Sequence, residues 1–189
     1  MKSRRAFSFH KEHKMTLTLH EAFVPNAVQI LGGMRGIIDK AQGHCRDSGI
    51  PESELIEATL HEDMWPLPWH VRACWVHSAF AINLYKEGYF SPDFTQIPAD
   101  WDAMRAMVDD AVAQLGEVTP EYLEDISDKT IGFELGGKRL LEMTGQNFLL
   151  GFNQHHFFFH ATTFYDILRH KGVALGKRDF TGVPRILGA

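Results

Sequence analysis

The chain has 189 residues, 44% hydrophobic and 23% charged, with a formal net charge of −5. That length makes one domain, large enough to bury roughly two-thirds of the surface its unfolded chain would expose. The ordinary apolar and charged fractions fit a globular protein. An acidic balance without a lysine or arginine patch excludes a nucleic-acid-binding surface. No apolar run reaches the roughly 18 residues of a membrane span, because Arg72, Lys86 and Asp166 interrupt the candidates.

The N-terminus is basic at Lys2, Arg4 and Arg5, but the apolar core of a secretory signal does not follow. Cys45 and Cys74 stand alone, without Cys-x-x-Cys spacing, and read as reduced thiols of a cytoplasmic protein. Residues 1–14 are polar, carry His10 and His13, and are expected to form a flexible extension of a domain spanning 15–189.

Thr18-Leu-His-Glu21 is a capping-box pattern that opens the first long helix, expected over 18–48. Val24, Val28, Leu31, Met34, Ile38 and Ala41 recur at helical spacing, and Gly32-Gly33 would let a neighbouring element approach closely. A short connecting helix follows between Pro51 and Ala58. The second long helix, 66–87, starts at Pro66, a residue suited to a first turn. Arg72, Asn83 and Lys86 fall on its polar face, while His70 and His77 lie near the centre of an apolar arc with Leu67, Cys74, Ala81 and Leu84. The segment from Gly88 to Pro98 reads as a loop. A third helix over 98–116 presents Trp101, Met104, Val108, Ala111, Val112 and Leu115. Thr119-Pro120 caps a brief helix through Ile126. The runs Thr130–Leu135 and Lys138–Met143 around Gly136-Gly137 then predict a β-hairpin.

The last long helix, 144–171, opens after Thr144 and closes at Lys171-Gly172. Stepping 100° per residue puts Asn147, Gly151, His155, Thr162, Asp166 and Arg169 on one face. Leu149, Phe152, Phe157, Phe159, Phe164 and Ile167 fall on the other, with His156 and His160 near its middle and one turn apart. Imidazoles in an apolar stripe need partners, because an unpaired buried polar nitrogen costs about 1–3 kcal/mol. A bound cation satisfies them, and so do hydrogen bonds within a core; the two residues alone leave both readings open.

Four amphipathic helices with one hairpin before the last make an all-α four-helix bundle, a fold that builds metal sites from facing helices. The pair His156/His160 plus one histidine of the second helix gives three nitrogens and an open position, the arrangement of a catalytic metal centre. His70 and His77 lie about 10 Å apart along their helix, so one ion takes only one of them.

Four stretches carry a resemblance: Met15-Thr-Leu-Thr-Leu, Asp63-Met-Trp-Pro-Leu67 followed by Val71, His160-Ala-Thr-Thr-Phe-Tyr-Asp-Ile-Leu-Arg-His170, and Gly172-Val-Ala-Leu-Gly-Lys-Arg-Asp-Phe180. In this order, from Met15 to about Gly182, the chain resembles a bacterial family described only as a domain of unknown function. That family belongs to the DinB/YfiT-like superfamily of metal-dependent four-helix bundles. The resemblance implies a divalent metal, zinc or nickel, held by one histidine of the second helix and a His-x-x-x-His on the fourth. His156-x-x-x-His160 matches that motif. Members often carry glutamine at the position of His70 and asparagine at that of His156; the paired replacement here implies His70, His156 and His160 as the ligand set. Their ligating nitrogens are then expected within about 3–4 Å of one another, with Asn153 and Thr163 as candidate supports and Trp69, Trp75 and phenylalanines as walls.

Two function classes are open. The superfamily implies a metal-dependent hydrolase or a transferase of a low-molecular-weight thiol, acting on a small molecule. The alternative is a non-catalytic bundle that binds a small apolar ligand or a protein partner, its histidines being core residues. A broad apolar stripe on the second helix (Trp69, Val76 and Phe80 on one side, Trp75 and Ile82 on the other) predicts a homodimer.

Overall fold

The computed structural model describes residues 17–187. The expectation of a flexible arm over 1–14 therefore lies outside the described residues.

Helix α1 runs Leu19–Ser48. Its start is the expected capping box: Thr18 Oγ1 accepts from the Glu21 amide (3.1 Å), and Glu21 Oε2 accepts from the Thr18 amide (3.4 Å). Gly49 ends it at φ +69°, a left-handed value that favours glycine. The connecting helix α2 is Ser53–Ile56. The second long helix, α3, is continuous but not uniform: α-helical Leu67–Trp75, π-helical Val76–Phe80, α-helical Ala81–Leu84 and a 3-10 turn Tyr85–Glu87.

Helix α4 covers Trp101–Gly116, starting later than Pro98 because the Asp100 side chain accepts from the Ala103 amide and so becomes the N-cap. Helix α5 is Pro120–Ile126, capped by Thr119. Helix α6 opens with a π-helical stretch, Asn147–Asn153, and continues as Gln154–His170; Thr144 Oγ1 accepts from the Asn147 amide as the sequence predicts.

The hairpin consists of β2 (Thr130–Leu135) and β3 (Lys138–Thr144), with Leu135 opposite Lys138. Gly136 (φ +58°) and Gly137 (φ +74°) supply the two positive angles of a tight turn. One strand lies where the sequence predicts a loop. Tyr89–Phe90 forms β1 and pairs in parallel with Gly132 and Phe133, giving a three-stranded sheet. Two residues are too few for periodicity to register.

The bundle is α1, α3, α4 and α6: α1 packs on α4 and α6, and α3 on α6 and α4. Leu31, Met34, Ile37, Ile38, Leu67, Met104, Phe148, Phe157 and Phe164 form the fully buried centre. Among the described residues no helix is long and apolar enough to cross a membrane. The stripe that suggested a homodimer is largely used within the chain: Val76 and Ile82 are 1% exposed, and the Trp75 indole N–H donates to Asp110 on α4. Sedimentation at micromolar concentration, not this stripe, decides the oligomeric state.

A short helix α7 (Lys177–Thr181) folds back on α1, with Lys40 Nζ 2.6 Å from Asp179 Oδ1 and Phe180 against Tyr165. Here the Gly32-Gly33 pair divides its roles. A Cβ on Gly33 would lie 2.6 Å from the Phe180 carbonyl oxygen and 2.7 Å from that of Asp179, whereas one on Gly32 meets nothing within 4 Å. Gly33→Ala is therefore expected to destabilise the fold by about 1–3 kcal/mol through overpacking against backbone. Gly32→Ala, on an exposed helical position, is expected to stabilise it by about 0.5–1 kcal/mol. Urea melts of the two variants check this opposition.

Candidate functional site

The two π-helical stretches are joined across the α3–α6 contact by one buried polar residue from each. His77 lies within the first and Asn153 closes the second. Such bulges inside α-helices are rare and concentrate at functional sites. Asn153 is 0% exposed, and its two ends are both used. Its Nδ2 donates to the Phe148 carbonyl (2.9 Å), which turns Oδ1 toward His77, where it accepts from Nδ1 (2.9 Å). His77 is thus held in the Nδ1–H form with Nε2 free.

The neighbouring rings are fixed in the same way. A carbonyl can only accept, so His70 Nε2 donates to the Trp65 carbonyl (3.1 Å). Neutral His70 then accepts at Nδ1, and the donor there is His160 Nδ1, 3.0 Å away. His160 is left with Nε2 free. His156 Nδ1 donates to the Phe152 carbonyl (2.9 Å), so in its neutral form it too keeps Nε2 free. Burial first, then the positive charge that His70, His77 and His156 would carry, depresses the His160 pKa to about 3. Burial likewise lowers His77 to about 4, with His156 and Arg72 pushing the same way and the Asn153 bond opposing. Burial also lowers His70, against its bond to Trp65. His70, His77 and His160 are neutral bases near pH 7.

His77, His156 and His160 line one cavity of about 190 Å³, walled by Trp65, Phe94, Phe133 and Phe152 and containing Arg72. The His77 ring stacks on His156 (centroids 4.7 Å, 21°) and on His160 (6.1 Å, 7°), and Trp65 stacks on His160 from outside (5.6 Å, 10°). Of the three residues expected as ligands, His156 and His160 reach this cavity. His70 instead lines a shallower cleft with Asp63, Met64, Trp65 and Phe159, and both of its nitrogens are engaged. The 3.0 Å between His70 and His160 falls within the spacing expected of co-ligands, but a hydrogen bond occupies it.

The expected supports also divide. Asn153 orients a histidine, namely His77, while Thr163 Oγ1 donates back to the Phe159 carbonyl one turn earlier. Trp75 points elsewhere, and Trp69 packs on Trp65 (centroids 5.0 Å). Phe159, placed on the apolar arc by the helical wheel, is 57% exposed.

Arg72 is the residue that sequence reasoning misplaces. Assigned to a polar face, it is 3% exposed, with Nη2 3.2 Å from Asp93 Oδ2 and its guanidinium 5.7 Å from the Phe94 ring centroid. The segment after β1 folds over that face of α3. A helical wheel has no term for such a cover; the only trace in the sequence is an aspartate and an aromatic side by side, Asp93-Phe94.

Three imidazoles around an aromatic-walled cavity are donors suited to a divalent metal. As placed, the rings are stacked rather than convergent, and among the described residues no three His, Cys, Asp or Glu side chains are grouped to hold an ion. The donor chemistry fits a metal; this arrangement of the rings does not.

The four long helices with a hairpin before the last make a DinB-like four-helix bundle. A crystal structure of a DinB family member protein from Shewanella denitrificans has the same fold, with a TM-score of 0.75 at 21% identity over 90% of this chain and 96% of that one. The chain belongs to the family described as Domain of unknown function (DUF1993), whose model matches residues 19–181. No curated protein matches.

Proposed function

We propose that the cavity is the site of a metal-dependent enzyme acting on a small molecule, of the hydrolase or low-molecular-weight-thiol transferase type. The observation that carries the reading is the hydrogen-bond pattern: each cavity histidine has its Nδ1 tied to an internal acceptor and its Nε2 unengaged. That is how metal-binding imidazoles are oriented by their surroundings.

In this reading His156 and His160 hold a divalent ion, zinc or nickel, and His77 supplies the third nitrogen. His70, the third ligand expected from sequence, positions His160 through the chain that begins at the Trp65 carbonyl. For the stacked rings to hold an ion together they must first turn toward one another. A bound metal would lower the pKa of a water or thiol at its open position. The chain's own contribution is to keep His77 and His160 unprotonated near neutral pH and to exclude bulk water with Trp65, Phe94 and Phe152. Asp63 is paired with His61 (2.6 Å) on the surface, so no carboxylate is assigned as general base.

The test is metal content. Protein dialysed against zinc or nickel is expected to retain about one equivalent, and His160→Ala or His77→Ala to bind at least about tenfold more weakly. His70→Gln keeps a hydrogen-bonding side chain and is expected to retain the metal. Loss with His70→Gln but not with His77→Ala restores His70 as ligand.

The stacking of His77 with His156 and His160 favours a second reading, a non-catalytic bundle whose cavity binds a small apolar ligand. Absence of bound metal from wild-type protein at millimolar zinc and nickel would establish it over the first.

A further inference from the structure

We propose that this cavity takes a small monocarboxylate with an apolar body, and that Arg72 grips the carboxylate. The inference rests on the reading of the cavity as a substrate site, and it names the chemical class of that substrate.

Arg72 lines the cavity, yet Nε and Nη2 are buried without a hydrogen-bond partner. A guanidinium carries five N–H donors in one plane, and burying donors unpaired is unfavourable, more so for a charged group. Asp93 does not meet that demand. It offers one oxygen, Oδ2, to Nη2 alone as an ion pair, while its Oδ1 is held by the Thr95 amide (2.8 Å) and hydroxyl (2.6 Å) within its own loop. What the fork lacks is a planar pair of acceptors, and a carboxylate supplies one in the matching geometry.

The rest of the cavity selects the body of the ligand. Trp65, Val76, Phe94, Phe133 and Phe152 present apolar surface. Its volume of about 190 Å³ equals roughly six waters at ~30 Å³ each, room for a small ring or a short chain. Among the described residues, Arg72 is the one arginine or lysine lining the cavity and already shares its charge with Asp93, which suits a single negative charge better than a phosphate dianion.

The experiment compares phenylacetate with phenylacetamide, the same body without the charge, by calorimetry on the full chain, both chelator-treated and zinc-loaded. In chelator-treated protein phenylacetate is expected to bind about tenfold or more tightly than the amide, the discrimination a forked charge-assisted pair supplies. Arg72→Lys keeps a charge without the fork and is expected to lose most of that preference.

Because removing a buried arginine can unfold the chain, Asp93→Asn serves as the second variant. It frees Arg72 and is expected to tighten phenylacetate several-fold while leaving the amide unchanged, a gain that misfolding cannot produce. Equal binding of the two ligands, no binding of either, or a preference unchanged in both variants overturns the proposal. So does a preference seen only with zinc and lost in His160→Ala, since the carboxylate would then sit on the metal; that result supports the metal reading. A preference intact in protein that never takes up metal overturns the metal reading and leaves Arg72 in place.

Discussion

Acidification of the metal-free protein from pH 7 to pH 4.5 is expected to remove several kcal/mol of folding stability, most of it through two histidines. An unfolded histidine titrates near 6.5, whereas His77 and His160 titrate at about 4 and about 3 in the fold. Between those values the unfolded chain binds protons that the folded chain refuses, so stability falls as pH falls. The contribution is fully present above about pH 6.5 and is lost progressively down through the folded values.

Each group loses about 1.36 kcal/mol per pH unit in that window, or on the order of 2–3 kcal/mol by pH 4.5. His70, lowered by the same burial, acts in the same direction. Total stabilities of about 5–15 kcal/mol make a combined loss near 5 decisive. Asp93 does not confuse the window. Burial raises its pKa, but the Thr95 hydrogen bonds and Arg72 outweigh that and leave it below the usual carboxylate range, so its loss comes at lower pH. Urea unfolding at pH 7.5, 6.0, 5.0 and 4.5 in chelator measures the slope, and His160→Gln is expected to flatten it by roughly half. A wild-type slope near zero above pH 4.5 would mean that these histidines are not buried as neutral bases.

The sequence reveals the bundle because its helices are long and their caps are side-chain chemistry. Thr18 with Glu21, Thr144 and Thr119 each make the hydrogen bond that their spacing predicts. Gly136-Gly137 forms the expected turn, and Gly33 makes the expected close approach. The site is less legible, for two physical reasons. A wheel of 100° per residue assumes an unbroken α-helix, and each π-helical stretch shifts the phase of every later residue in its helix. The wheel therefore finds histidines facing α6 from α3 but cannot choose between His70 and His77. The choice is made by partners distant in sequence or outside the helix: the Trp65 carbonyl engages His70, and Asn153 orients His77. Covering loops are invisible to any wheel, which is why Arg72 reads as solvent-facing while Asp93 and Phe94 bury it.

Asn153→Leu is expected to cost about 1.5–4.5 kcal/mol at pH 7, because it leaves the buried His77 Nδ1–H unpaired, at about 1–3 kcal/mol, and removes a second hydrogen bond worth about 0.5–1.5 kcal/mol. Leucine keeps the branching and suits the helix, and its bulkier methyls add overpacking at this fully buried position in the same destabilising direction. The variant loses the acceptor for His77 Nδ1–H and the side-chain donor to the Phe148 carbonyl.

Asn153→Asp separates orientation from packing. It keeps the shape and the acceptor for His77 but turns a carboxylate oxygen against the Phe148 carbonyl, so it is also expected to destabilise the fold at neutral pH. Its effect on His77 has the opposite sense from burial. A carboxylate beside the ring favours the imidazolium and raises the His77 pKa from about 4 toward its unfolded value. As the folded and unfolded values approach each other, the His77 part of the acid-induced loss shrinks and the stability profile between pH 6.5 and 4.5 becomes shallower. Following the His77 ring proton by NMR across pH 3–8, beside urea melts of both variants, reads the two effects independently. Asn153→Leu within about 1 kcal/mol of wild type would show that the pair from Asn153 to His77 and Phe148 carries no net stability. An unmoved His77 titration in Asn153→Asp would show that Asn153 does not set the state of that ring.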